Sequence, residues 1–220
     1  LLHQIIAMTI AQLRQMSGIE GVAVLTGLIS VYLTVRNNIW TWPWGIVNVV
    51  LYGWIFWQQK VYANAGLNAL YFLPMQFYGW WVWAKCGPRH HDDLPITVYS
   101  NRERIAWTCA TVLISMLAGA ALRYLPPIVH WDPDPMPYAD GITTGISIVA
   151  QYMEARKKIE NWILWIVADV IYVFYLLPQQ HLYLSALLNV FYLVLAVMGA
   201  LAWWRLLAEP QPAQQNELVD

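Results

Sequence analysis

Residues 32–42 read YLTVRNNIWTW, and residues 152–162 read YMEARKKIENW. Tyr32, Arg36, Ile39 and Trp42 return 120 positions later as Tyr152, Arg156, Ile159 and Trp162, and Gly21 returns as Gly141. One inserted residue then moves the offset to 121. There Trp44, Val49, Gln58, Gln59, Tyr62, Ala65, Leu67, Asn68, Tyr71 and Trp83 match Trp165, Val170, Gln179, Gln180, Tyr183, Ala186, Leu188, Asn189, Tyr192 and Trp204. Shared hydrophobicity does not generate matched Asn, Gln and Trp, so the chain carries an internal repeat.

The repeated material is too apolar for water. Of 220 residues, 59% are hydrophobic and 11% charged, against roughly 25% charged in an ordinary soluble domain. A membrane-spanning helix needs about 20 residues. Apolar segments at 20–36, 42–58, 62–84, 104–124, 140–155, 162–178 and 182–206 predict seven spans. They lack the alternation of barrel strands, and lipid requires backbone groups to be bonded internally, so all are read as helices. The expected fold is an all-α membrane protein in a 3+1+3 plan. Repeat one covers 20–84, a linker helix 104–124 and repeat two 140–206, together a transporter domain over 19–206. Four spans separate equivalent helices, so the copies enter the membrane in the same direction, the parallel-repeat architecture of the sugar transporters called SWEETs. Residues 1–18 predict an interfacial helix, with Leu2, Ile5, Ile6, Ile10 and Leu13 at helical spacing, and residues 207–220 a disordered tail.

Basic residues stay on the cytoplasmic side. Arg36, Lys85, Arg89, Arg102, Arg104, Arg156, Lys157, Lys158 and Arg205 fall on one side, and Arg14, Lys60 and Arg123 on the other. The N-terminus is therefore expected outside and the C-terminus in the cytoplasm. A net charge of -1 gives no nucleic-acid surface. Cys86 and Cys109 have no paired or metal-type spacing and read as inert thiols. His90, His91, Asp92 and Asp93 read as a solvated loop, Asp132 and Asp134 as part of a proline-rich outer loop, so no metal site and no cofactor are expected. Trp40, Trp83, Trp107, Trp203 and Trp204 fall at span ends, where aromatic belts lie.

Charged and polar groups inside a span are costly and point to function. Asp169 is such an acid. Trp165 and Asp169 are four apart on one helical face, with Tyr172 three further on; Trp44 and Asn48 hold the corresponding places in the first copy. Asn68, Phe72, Gln76 and Trp80 follow at four-residue spacing in span three, and Asn189 and Tyr192 lie in span seven. Gln76 faces only Val197 in the repeat, a loss of symmetry suited to an asymmetric solute. Asn68 and Asn189 fit interhelical hydrogen bonding equally well. Gly141, Thr143, Thr144, Gly145 and Ser147 give span five a small, weakly polar face that permits close helix approach or lines a path. Tryptophans beside a carboxylate suit a flat organic cation through cation–π attraction and counter-charge. The spans hold almost no Lys or Arg, so a phosphorylated anion lacks a partner. No acid-base dyad, nucleophile constellation or phosphate loop is present, so catalysis is not indicated.

At Trp42-Pro43-Trp44-Gly45-Ile46-Val47-Asn48, Gln76 to Trp80, and Glu160-Asn161-Trp162-Ile163-Leu164-Trp165 with Asp169, the sequence resembles the PnuC family of bacterial vitamin transporters, across essentially the whole membrane region. The resemblance implies facilitated diffusion of nicotinamide riboside through the inner membrane by a seven-helix protein, often a homotrimer, with cytoplasmic phosphorylation trapping the solute for NAD biosynthesis. It implies Trp44 and Trp165 flanking the aromatic ring, Trp80 adjoining it, Asn48 and Gln76 bonding amide or hydroxyls, Asp169 in the polar centre, and Asn189 with Tyr192 completing the pocket. Asn48 and Asp169 are equally placed to close a gate. Alternatives are a transporter of another cationic vitamin such as thiamine, proton-coupled or not, and a membrane-embedded vitamin-binding protein.

Overall fold

The computed structural model describes residues 2–85, 94–179 and 183–208. Cys86, Arg89, His90, His91, Asp92, Asp93, Gln180 and the tail from Glu209 to Asp220 lie outside the described residues. Among those described, regular structure is helical apart from one isolated parallel bridge, Thr97 to Lys158. In order come α1 (Leu2–Gln15), α2 (Gly18–Val35), α3 (Thr41–Gln58), α4 (Tyr62–Leu67), α5 (Leu73–Lys85), α6 (Asn101–Val129), α7 (Pro137–Ala155), α8 (Glu160–Ile171), α9 (Leu177–Gln179) and α10 (Tyr183–Ala208). A π-helical turn at Asn68–Phe72 joins α4 to α5, and another at Tyr172–Leu176 joins α8 to α9.

The helix starts follow from local chemistry. Ser17 and Ser100 each accept from the backbone N–H three residues on, while Glu20 and Glu103 reach back to the cap N–H, forming two capping boxes. Beyond α2 and α7 the chain turns through the left-handed region at Asn37 (φ 52) and Lys157 (φ 50), positions 120 apart. Three helices, α2, α6 and α10, are long and apolar enough to cross a membrane by length and composition. Large apolar side chains face outward, including Leu70, Met116, Ile128 and Phe174. Exposed hydrophobic surface on this scale is suited to lipid contact. The chain is therefore a multi-pass helical membrane protein.

Packing closes a ring. α2 packs on α3, α3 on α4 and α5, α5 on α7, α7 on α8, α8 on α10, and α10 back on α2. Helix α6 lies outside it, docked on α7. There Gly141 and Gly145 approach the backbone of Gly119 and Ser115 so closely that a Cβ at either would overlap it, which assigns the small face of span five to packing. Helix α1 meets α10, where Gln12 Oε1 accepts from the Leu184 N–H at 2.9 Å.

The core at one end of the ring is tryptophan. Trp42 meets Trp83 edge-on at 5.3 Å and 88°, and Trp162 meets Trp203 edge-on at 5.5 Å and 89°. Trp83 and Trp203 join the pairs at 6.2 Å. Trp83 and Trp203 are 4% and 0% exposed, so they form the core instead of an interfacial belt. Trp40 and Trp204 are exposed. Gly79 lies under the Trp42 ring and Gly199 under the Trp162 ring, with no room for a Cβ.

These pairs also correct the repeat register. Trp83 is equivalent to Trp203, not to Trp204. Helices α3 and α8 run as unbroken α-helix from Trp42 and Trp162, so the offset of 120 holds along them and Asp169 corresponds to Val49. The extra residue of the second copy is absorbed in the π turn at Tyr172–Leu176, and the turn at Asn68–Phe72 adds one to the first, restoring the offset.

Candidate solute-binding site

Hydrogen bonds cross the ring reciprocally. Trp83 Nε1, on α5, donates to the Ala155 carbonyl at the end of α7 at 3.2 Å, and Trp203 Nε1, on α10, donates to the Thr34 carbonyl at the end of α2 at 3.0 Å. Tyr71 donates its hydroxyl hydrogen to the Ile148 carbonyl on α7, while the Tyr192 hydroxyl lies over Gly27 of α2. The third helix of each copy thus grips the first helix of the other.

Polar groups follow the tryptophans in layers. One turn along α3 from Trp42, Gly45 leaves room for the Gln76 amide, which is 8% exposed. One turn along α8 from Trp162, the Trp165 Nε1 donates to Glu154 Oε2 at 3.1 Å. Thr34 Oγ1 donates to Glu154 Oε1 at 3.3 Å, and sits 2.6 Å from Thr41 Oγ1. A turn further, about 10 Å from the tryptophan layer at 1.5 Å per residue, come Asn48 and Asp169. Asn48 Nδ2 donates to the Ala23 carbonyl at 2.7 Å and, with Tyr192, fills the space over Gly27. Asp169 is 7% exposed and lies in electrostatic range of the Tyr172 and Tyr192 hydroxyls. The Tyr172 hydroxyl faces Thr143.

The structure therefore brings Asn48, Gln76, Trp165, Asp169, Tyr172 and Tyr192 into neighbouring buried or part-buried layers. Trp44 and Trp80 are exposed, and Trp80 borders a surface groove with Phe77, Trp81 and Ala84. Asn189 donates to the Ser185 carbonyl and Asn68 to the Asn64 carbonyl, both at 2.9 Å and each one turn back on its own helix. Their matching amides serve the helices that carry them.

Glu154 escapes sequence reading because it abuts Arg156, Lys157 and Lys158 and reads as the solvated end of a span. The signal available was its partner in the repeat: Thr34 lies 120 residues earlier, at an uncharged position. Lys and Arg occur on α2 to α5, α7, α8 and α10 only as Lys85 and Arg205, both in a last turn. The ring interior thus offers carboxylates, amides, hydroxyls and indoles. Such a surface can hold a flat, polar, uncharged or cationic molecule.

The family model described as nicotinamide mononucleotide transporter matches residues 17–205. The nicotinamide riboside transporter PnuC of Escherichia coli (strain K12) is 26% identical over 206 residues, covering 86% of this chain and 85% of the relative. The riboflavin/roseoflavin transporter RibM of Streptomyces davaonensis is 28% identical over 181 residues, covering 82% and 81%. The crystal structure of the vitamin B3 transporter PnuC superposes with a TM-score of 0.69 at 24% identity, covering 94% of this chain and 89% of that one, and shows the same fold. The reciprocal ring of helices is thus a PnuC fold, and the chain belongs to the nicotinamide mononucleotide transporter family, that of the PnuC transporters.

Proposed function

We propose that this chain carries nicotinamide riboside across the bacterial inner membrane by facilitated diffusion. The observation that carries this reading is the pair of acids, Glu154 and Asp169, in a ring whose described helices hold Lys and Arg only at two ends. Nicotinamide riboside has a flat pyridinium cation, a carboxamide and a ribose. The mononucleotide adds a phosphate, whose desolvation no Lys or Arg within the described ring helices offsets away from their ends, and the buried Lys157 lies beyond α7 over the Trp83 ring. The riboside, named for the E. coli relative, therefore fits better than the mononucleotide of the family description. Asn48 and Gln76 bond amide or hydroxyls, Trp165 walls the ring, and Asp169 with Tyr172 and Tyr192 closes the polar centre. The fold is a seven-helix 3+1+3 parallel repeat of the SWEET kind, rocking about the site by alternating access. Its N-terminus is outside, its C-terminus cytoplasmic, and it assembles as a trimer. Phosphorylation of the solute by a cytoplasmic enzyme drives net uptake, and the chain itself performs no catalysis.

Counterflow of radiolabelled nicotinamide riboside into proteoliposomes tests this, with unlabelled riboside, mononucleotide, thiamine and riboflavin as competitors. Exchange without an imposed gradient, blocked by the riboside and not the mononucleotide, is expected. Competition by riboflavin or thiamine alone moves the substrate to that vitamin. A requirement for a proton gradient makes Asp169 a proton carrier, and binding without counterflow makes the chain a binding protein.

A further inference from the structure

Glu154 and Thr34 occupy the same place in the two copies, 120 residues apart, and they touch each other through a hydrogen bond. Two equivalent positions of a repeat meet only near the line that relates the copies. The first copy places a hydroxyl on that line, tied to Thr41 and Ser30, and the second a carboxylate. Glu154 spends its two oxygens on separate partners: Oε1 accepts from Thr34 on α2, and Oε2 from the Trp165 indole on α8. It thereby spans three helices from its own, α7.

Trp165 also packs against the tryptophan core, but packing leaves a planar ring free to slide. One directional hydrogen bond to a carboxyl oxygen fixes it more firmly than contact does. The tie lies one helical turn from Asp169, at the same level as Gln76.

We propose that Glu154 is a positioning residue for solute: through the Trp165 indole it sets the aromatic wall of the binding site, and through Thr34 it fastens that wall to the other half of the ring. This rests on the transport reading given above. The carboxylate works at one remove and does not itself contact the solute.

A double-mutant cycle in proteoliposomes tests it, run on counterflow of nicotinamide riboside and, in parallel, of riboflavin and thiamine, using whichever the wild-type protein carries. Glu154→Ala and Trp165→Phe are each expected to raise KM about tenfold, the loss of one buried hydrogen bond. Vmax stays within about twofold, because that bond orients the wall without powering the rocking step. The double variant is expected to be no worse than either single one. Glu154→Gln, whose amide oxygen still accepts the indole N–H, raises KM less than about threefold. Effects that multiply in the double variant, a loss of Vmax at constant KM, or a Glu154→Gln as poor as Trp165→Phe would each overturn the proposal. Because Glu154→Gln is near-isosteric, the last comparison decides the matter even where Glu154→Ala does not fold. A wild-type protein that carries none of nicotinamide riboside, riboflavin and thiamine overturns the transport reading and this proposal together, whereas wild-type transport with independent effects overturns this proposal alone.

Discussion

Gly79 and Gly199 carry the plane of an indole ring where any other residue would carry a Cβ. Alanine at either position forces the Trp42 or Trp162 ring out of its edge-on contact, and such overpacking costs about 1–3 kcal/mol. Gly79→Ala and Gly199→Ala are therefore expected to lower thermal unfolding temperatures in detergent by similar amounts, since the two sites are equivalent. Gly66 on α4 has open space where a Cβ would stand. Gly66→Ala is expected to stabilise by about 0.5–1 kcal/mol through helix propensity, and the three variants measured side by side separate crowding from propensity. Removing the Trp203 N–H with Trp203→Phe leaves the Thr34 carbonyl without this donor and is expected to cost about 1–3 kcal/mol. At this scale the sequence was partly legible. Asp169, Gln76 and Asn48 could be singled out because a polar group inside an apolar run is a rare event. The burial of Trp83 and Trp203 could not, because hydropathy at a span end is the same for a ring turned to the interface and one turned inward.

Helices were legible because each is a long apolar run, and α2 and α6 are announced by a serine with glutamate three residues on. The π turns were not, since one extra residue leaves composition and hydropathy unchanged and shows only as a shift in repeat offset. That shift was read as an insertion beside Trp165, and unbroken α-helix through Asp169 moves it past Ile171. Deleting Ala69 from the turn at Asn68–Phe72 is expected to convert it to α-helix while Gln76, Gly79 and Trp83 keep their places, because unbroken α10 passes the same point of the second copy with one residue fewer. Size-exclusion chromatography should then show monodisperse protein, whereas inserting an alanine after Val194 in α10, which has no turn to absorb it, should not. A deletion that abolishes folding would mean that the turn does more than absorb one residue. At the α6–α7 contact, Gly145→Leu is expected to separate the helices, and Gly18→Leu, in open space, to be tolerated.

For the whole molecule, the repeat gave the ring its plan, because matched residues in two halves of one chain imply matched contacts. It could not show that the third helix of each half holds the first helix of the other. Reciprocity is a property of three dimensions, and equal offsets are consistent with either pairing. A transported cation responds to membrane potential. At 100 mV, inside negative, about 2.3 kcal/mol per charge favours uptake, roughly a fiftyfold concentration ratio. A potassium diffusion potential imposed on proteoliposomes should therefore concentrate nicotinamide riboside and leave riboflavin near equilibrium. Equal distribution of the riboside under that potential would show that its charge does not move with it.

Helix α6 stands outside the ring, and Cys109 is exposed on it. It offers a thiol that reagents can reach without passing the tryptophan core. With Cys86 replaced by serine, a spin label or fluorophore at Cys109 becomes a beacon on the α6–α7 pair. Its distance to a second label on α3, in the first half, read by electron resonance or energy transfer, would turn the motion of one half against the other into a ruler reading for each solute added.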